Sequence, residues 1–152
     1  MSAATPELSP PVIDGARRAD LSSIRWLLEM EYLPSADITE EALAHFLVCR
    51  DPGGVMGVVG LEVFGEVALL RSLVVSEERQ GVGLGRRLVS AAEEMATELK
   101  VREIYLLTTT AAEFFGHLGY RQVERALSPA AISSTKEFSS LCPSTAVFMV
   151  KP

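Results

Sequence analysis

Near the middle of the chain, Gln80-Gly81-Val82-Gly83-Leu84-Gly85 has the make-up of an anion cradle. Glycines at alternate positions let a backbone turn approach a phosphate without Cβ clashes. A helix starting at about Leu84 would add free N–H groups and roughly half a positive charge at its first turn. Two common nucleotide patterns are excluded. Gly-x-x-x-x-Gly-Lys-Ser/Thr is absent. In Gly-x-Gly-x-x-Gly begun at Gly81, the third glycine falls on Arg86, and no acidic residue ends a following strand at the right distance.

Other residues stand out by their surroundings. Arg71 interrupts an apolar run, and a guanidinium is expensive to bury unpaired. It calls for a carboxylate, either a substrate's or an internal one such as Glu62 or Glu66. Glu62 interrupts another apolar run and is either a general base or a solvent-facing carboxylate; Glu31 and Glu66 are weaker base candidates. Ser72, Thr108 and Thr109 can supply hydroxyls to a ligand, the threonines equally following strand propensity. No Cys-x-x-Cys or His-x-x-x-His spacing exists, and His45 and His117 are far apart, so no metal site is expected. Cys49 and Cys142 do not suggest a disulfide framework.

The elements that must position these residues alternate. Asp20 can cap a helix running to about Glu31, with Leu21, Ile24, Leu27 and Leu28 on one face. Ala44 to Arg50 reads as a strand before the Asp51-Pro52-Gly53-Gly54 turn, and Val55–Phe64 and Glu66–Val75 read as a hairpin. After the glycine turn, Leu84, Leu88, Ala91, Met95 and Leu99 share one helix face. Strands are expected at Glu103–Thr109, Tyr120–Arg125 and Ala146–Val150, and a short helix at Ala111–Leu118 stopped by Gly119. Ser128–Pro143 is mixed and partly helical. The class is α/β or α+β with a mixed sheet, in one domain over residues 1–152.

Together with Leu70-Arg71-Ser72-Leu73-Val74-Val75, the run Glu77-Glu78-Arg79 and the later Ala111-Ala112-Glu113-Phe114-Phe115-Gly116-His117-Leu118-Gly119-Tyr120, the glycine turn resembles the GNAT superfamily of acetyl-CoA-dependent N-acetyltransferases. Leu106-Leu107-Thr108-Thr109-Thr110-Ala111-Ala112-Glu113-Phe114-Phe115 is similar to the acetyltransferase part of N-acetylglutamate synthases. With Leu33-Pro34, Gly60-Leu61-Glu62-Val63 and Glu137-Phe138-Ser139-Ser140-Leu141-Cys142-Pro143, the chain is similar to a bacterial family named as arsenic-resistance N-acetyltransferases. That family is similar to enzymes acetylating phosphinothricin and its arsenic analogue, both mimics of glutamate.

The resemblance implies a GNAT fold, a mostly antiparallel sheet whose central strands splay, flanked by helices. It implies acetyl-CoA as cosubstrate and direct transfer to the amine of a small acidic amino acid or glutamate analogue. Backbone groups of Leu73, Val74 and Val75 would pair with the pantetheine arm. The Gln80, Gly81, Val82, Gly83, Leu84, Gly85, Arg86 stretch would hold the pyrophosphate, with Arg86 and Arg79 either adding charge there or lying on the surface. Arg71, Ser72, Thr108 and Thr109 would face the substrate, and the tail from Ser139 to Ser144 lines the pocket or is a plain loop. Phe115 stands where many members carry a tyrosine that protonates the leaving thiolate; it can pack against the cofactor arm but has no proton to give. Cys142, Ser72 or Tyr105 could substitute. An α-amino group of pKa ~8 demands less of a base than a lysine amine near ~10.4. A peptide or protein amine, or a non-catalytic sensor of acetyl-CoA, are the competing readings.

The whole composition limits partners. In 152 residues, 14 Lys+Arg stand against 20 Asp+Glu for a net charge of −6, so a nucleic-acid surface is not expected. Hydrophobic residues are 48% and charged residues 22%, ordinary for a globular domain. No apolar run reaches about 18 residues, and Met1–Pro11 lacks a signal's charge and apolar core. A cytoplasmic protein with a loose tip over residues 1–11 is expected. The resemblance also implies a homodimer that pairs through the last strand, Ala146–Val150, as an edge.

Overall fold

The structure is a computed structural model that describes residues 11–142 and 145–152. Met1–Pro10 of the expected loose tip, and Pro143 and Ser144 of the expected pocket tail, lie outside the described residues. The elements are β1 (Val12–Gly15), α1 (Leu21–Met30), β2 (Phe46–Asp51), β3 (Gly54–Phe64), β4 (Val67–Val75), α2 (Leu84–Glu98), β5 (Glu103–Thr108), α3 (Ala112–His117), β6 (Arg121–Gln122), α4 (Ala130–Ser133) and β7 (Val147–Lys151). Among the described residues, one seven-stranded sheet runs β1-β2-β3-β4-β5-β7-β6. Only the β4–β5 pair is parallel, joined by the crossover through α2. None of the described helices is long and apolar enough to cross a membrane.

β3 reads as a continuous apolar run because both faces of the sheet are covered. On one face, Leu84, Leu88, Val89, Ala92 and Ala96 of α2 pack against Val59, Leu61, Ala68, Leu70 and Leu106. On the other, Ile24, Leu27 and Leu28 of α1 pack against Val48, Val58 and Val74. Adjacent strand residues such as Val58 and Val59 therefore serve opposite cores. A third cluster gathers Leu69, Tyr105, Phe148 and Val150 under Ile132 of α4.

Four expectations change. Asp20 is the N-cap residue of α1 as expected, but its side chain makes no capping bond: its carboxylate accepts from the Arg17 N–H at 2.7 Å and pairs with Arg50. The buried face of α2 is 84/88/92/96 with Val89, not 84/88/91/95/99, and Leu99 is exposed. The sheet takes the i, i+4 row, where Ala92 and Ala96 permit close approach. The Tyr120–Arg125 strand shrinks to two ladder residues before Arg125–Leu127 turns away in a 3-10 helix. Finally, β7 lies between β5 and β6, so it is not the edge expected for dimer pairing.

Gly60 is fixed by its neighbour across the ladder. It pairs with Phe46, and a Cβ there would lie 2.4 Å from two ring carbons of that fully buried side chain. Gly60→Ala is expected to destabilise the fold by about 1–3 kcal/mol through overpacking, read as a lower chemical-denaturation midpoint. An unchanged midpoint would mean the Phe46 ring can move aside freely.

Candidate active site between the parted strands

β4 and β5 pair only over Val67–Leu69 with Glu103–Tyr105. Beyond that they part, and a cavity of about 840 Å³ opens between them. Its walls include Leu70–Val75 of β4, Leu106–Ala111 at the end of β5, Phe114 and Phe115 of α3, the 31–36 loop after α1, and Glu137, Leu141 and Cys142. The other edge of β4 stays paired to β3, with a bulge: Val58 faces Val74 and Gly60 faces Arg71, so Ser72 and Leu73 oppose the single residue Val59. Ser72 sits at φ 62°, a left-handed conformation uncommon outside glycine that bends the strand at this point.

The glycine turn lies at the mouth of the gap. Gly81 and Gly83 have φ of 87° and 81°, values that favour glycine. Gly83 is the N-cap of α2 and no side chain caps it, so the first N–H groups of a 15-residue helix are left open to a ligand. A Cβ at either glycine would meet no atom within 4 Å, so it is the backbone conformation, not crowding, that selects glycine. Gln80 braces the turn by donating from Nε2 to the Val75 carbonyl at 3.0 Å. That carbonyl is therefore already engaged.

Arg71, side chain 3% exposed, anchors the floor. Its Nε donates to Ser72 Oγ at 2.9 Å, and Nη1 donates to Glu62 at 2.8 Å and to Asp37. Nη2 donates to Asp37 at 2.7 Å and lies 3.4 Å from Glu137. All three nitrogens are engaged. Burial works against the charge of Arg71, but Asp37, Glu137 and Glu62 outweigh it and push its pKa up. Burial also pushes the Glu137 carboxyl up, opposed by Arg71 and the Cys142 hydrogen bond and reinforced by Asp37 and Glu62. The Cys142 thiol, donating to Glu137 at 3.5 Å, is pushed up to about 12 by burial and by Glu137.

The expected residues divide into three groups. Arg71, Ser72, Leu73, Val74, Val75, Gln80, Gly85, Thr108, Thr109 and Phe115 line the cavity, as do Glu31 and Cys142. Gly81, Val82, Gly83, Leu84 and Arg86 belong to the turn and first helical residues rather than the cavity wall. Glu62 does not line the cavity and is held by Arg71. Of the two internal partners considered for Arg71, Glu62 is one and Glu66, at the hairpin turn, is not. Tyr105 donates to Glu103 at 3.0 Å and stacks on Phe148, away from the cavity. Arg79 pairs with Asp51, and Arg86 is exposed. Asp37 and Glu137 were missed: each lies in an irregular stretch whose sequence has no period to orient it. No cluster of three or more His, Cys, Asp or Glu suited to a metal occurs among the described residues.

Parted central strands, a β4 bulge and a glycine turn on a helix N-terminus leave a strand edge and a set of free N–H groups side by side, an arrangement suited to a phosphate-bearing acyl donor. The family described as "Acetyltransferase (GNAT) domain" matches residues 42–122, and the chain belongs to that family, whose members are acetyl-CoA-dependent N-acetyltransferases. It is 32% identical over 127 residues to "Uncharacterized N-acetyltransferase CT2212" of Chlorobaculum tepidum, covering 79% of this chain and 81% of that one. It is 27% identical over 123 residues to "Amino-acid acetyltransferase" of Mycobacterium tuberculosis, covering 75% and 70%. N-acetylglutamate synthase of Neisseria gonorrhoeae, solved with coenzyme A and N-acetyl-glutamate, shares the fold with TM-score 0.81 at 20% identity. That match covers 98% of this chain but only 36% of the synthase, so the chain spans about a third of that protein's length.

The carboxylate cage makes a stability prediction. Arg71→Leu leaves Asp37, Glu62 and Glu137 facing one another without their shared cation. The expected loss is about 3–5 kcal/mol at neutral pH. Mutual repulsion raises carboxyl pKa values in the folded variant, so its stability is present at low pH and lost as pH rises. Thermal melts across pH should show the wild-type and variant curves converging on the acid side; a gap independent of pH would refute this account.

Proposed function

We propose that the protein moves the acetyl group of acetyl-CoA to the amino group of a small amino acid, by direct transfer with both substrates held in the gap. The observation that carries this reading is the parting of β4 from β5 beside the uncapped start of α2. The strand edge at Leu73 and Val74 suits a pantetheine arm, and N–H groups from Gly81 to Arg86 suit a pyrophosphate. Phe115, Phe114 and Leu106 form an apolar wall beside them. Acetyl-CoA supplies the activated acetyl group; the chain binds, orients and accepts a proton. A cavity walled by the 31–36 loop and the 137–142 segment suits a small molecule better than a protein lysine.

An amino-acid acceptor is supported by the name of the mycobacterial relative and by the N-acetyl-glutamate in the gonococcal synthase. An acidic amino acid or glutamate analogue, arsinothricin and phosphinothricin included, is the finer reading. Its side-chain carboxylate has two routes here. It can use hydroxyls and N–H groups around Thr108, Thr109 and Thr110, or it can displace a carboxylate from Arg71, whose nitrogens are all engaged.

Free-thiol release from acetyl-CoA should be measured with glutamate, aspartate, glutamine, phosphinothricin, arsinothricin, polyamines and a lysine peptide. Selective turnover of the amino-acid group is expected; turnover of the peptide alone would move the function to protein acetylation. Gly83→Val should raise KM for acetyl-CoA about tenfold, equivalent to ~1.4 kcal/mol, by placing a side chain before the helix N-terminus. An unchanged KM would remove the turn from the phosphate site.

A further inference from the structure

Resting on the acetyltransferase reading above, we propose that Glu137 is the general base that takes the proton from the acceptor ammonium. Four carboxylates lie in or near the site, and their positions separate them. Glu62 and Asp37 are bound to Arg71 and do not line the cavity. Glu31 lines it but lies at its solvent-exposed rim. Glu137 both lines the cavity and is buried, with its side chain 6% exposed.

The contacts of Glu137 leave it free to accept. Arg71 reaches one oxygen at 3.4 Å, an ion pair longer than a good hydrogen bond. The Cys142 thiol donates weakly to the other at 3.5 Å. Arg71 itself touches the bulge through Ser72, so Glu137 stands one side chain away from the distorted strand where transfer is proposed. One guanidinium faces three carboxylates, so the cluster has negative charge to spare for a proton arriving from a ligand. The groups facing Glu137 are Arg71 from β4, Glu62 from β3, Asp37 from the loop after α1, and Cys142 from its own segment. Burial outweighs Arg71 and raises the Glu137 pKa towards that of an amine, the direction that suits a base.

The protons balance. An ammonium gives its first proton to the Glu137 carboxylate. As the neutral amine forms the N–C bond and the C–S bond breaks, the second departs with the thiolate as free thiol. Glu137 then releases its proton to water.

The test compares wild type, Glu137→Gln and Glu137→Asp by thiol release, once thermal melts show all three folded. Glu137→Gln should lose about 10²-fold in kcat/KM for the best amino acid. The acid limb of log kcat/KM against pH keeps a slope near one, since one proton is lost in either case, but its midpoint should move up from that of the base in wild type to that of the amine in Glu137→Gln. The loss should shrink with an acceptor whose amine pKa lies well below the assay pH, since such an amine arrives neutral. Glu137→Asp should keep its midpoint below that of the amine. Equal losses on both amines with an unchanged pH profile would make Glu137 merely structural and overturn the proposal. So would full activity of Glu137→Gln. A wild type that binds acetyl-CoA but turns over no amine would overturn the acetyltransferase reading as well.

Discussion

Backbone polar groups must be satisfied, and the parting of β4 from β5 strains that requirement at the centre of the sheet. Three residue pairs hold the two strands together, after which each has one edge with no strand beside it. On β4 the opposite edge stays tied to β3 through Val74 and Val75, so the strand cannot fall back into the gap. The bulge at Ser72 and Leu73 takes up the extra length. What remains is a short, open strand edge inside the molecule, walled by apolar side chains and screened from the pairing with other chains that an outer edge invites. A ligand with amide groups along its length can complete such an edge as a strand would. The open edge is thus the feature that would let such a ligand bind.

The second structural device is the charge cluster on Arg71. Buried ion pairs add little net stability, because desolvation offsets the attraction. What this one does is connect: β4, β3, the loop after α1 and the Glu137–Leu141 turn meet on one guanidinium. Two of those, the loop and the turn, are walls of the cavity, and each is also pinned on its far side by an apolar residue, Ile38 in the core under α1 and Phe138 against Phe148. The shared polar tie to β4 adds to those anchors on the cavity side without filling the cavity with hydrophobic side chains.

The glycine turn, the hairpin Val55–Phe64 with Glu66–Val75, and α1 were legible because their signals are local: spacing, periodicity and turn residues. The need of Arg71 for a carboxylate was legible too, since burial cost follows from residue type alone. Its main partner was not. Asp37 lies 34 residues earlier in a loop, and nothing in that stretch marks which carboxylate will turn inward. The same holds for Glu137, in a π-helical turn between a short helix and β7. The edge position of β7 failed for a different reason. Sequence order places β6 before β7, but the chain doubles back so that β7 inserts beside β5. Strand order is a property of long-range packing, which a local pattern does not carry.

Phe115 then becomes intelligible. It packs edge-on against Phe114 and Tyr120, closing the cavity wall with no ionisable group. The Tyr120 phenol, nearest in that cluster, is committed to Glu93 of α2 at 3.0 Å. Tyr105 faces Glu103, and the Cys142 thiol, at about 12, holds its proton too firmly to be a good donor. The site is therefore rich in carboxylates and poor in acids. That imbalance fits the chemistry of the two reacting groups. In the proposed transfer, a thiolate whose conjugate acid has a pKa near ~8.5 leaves without an acid from the protein and takes the proton the attacking amine gives up, whereas an α-ammonium near ~8 must lose one before it can attack. On that proposal, the ionisable groups stand at the step that needs them.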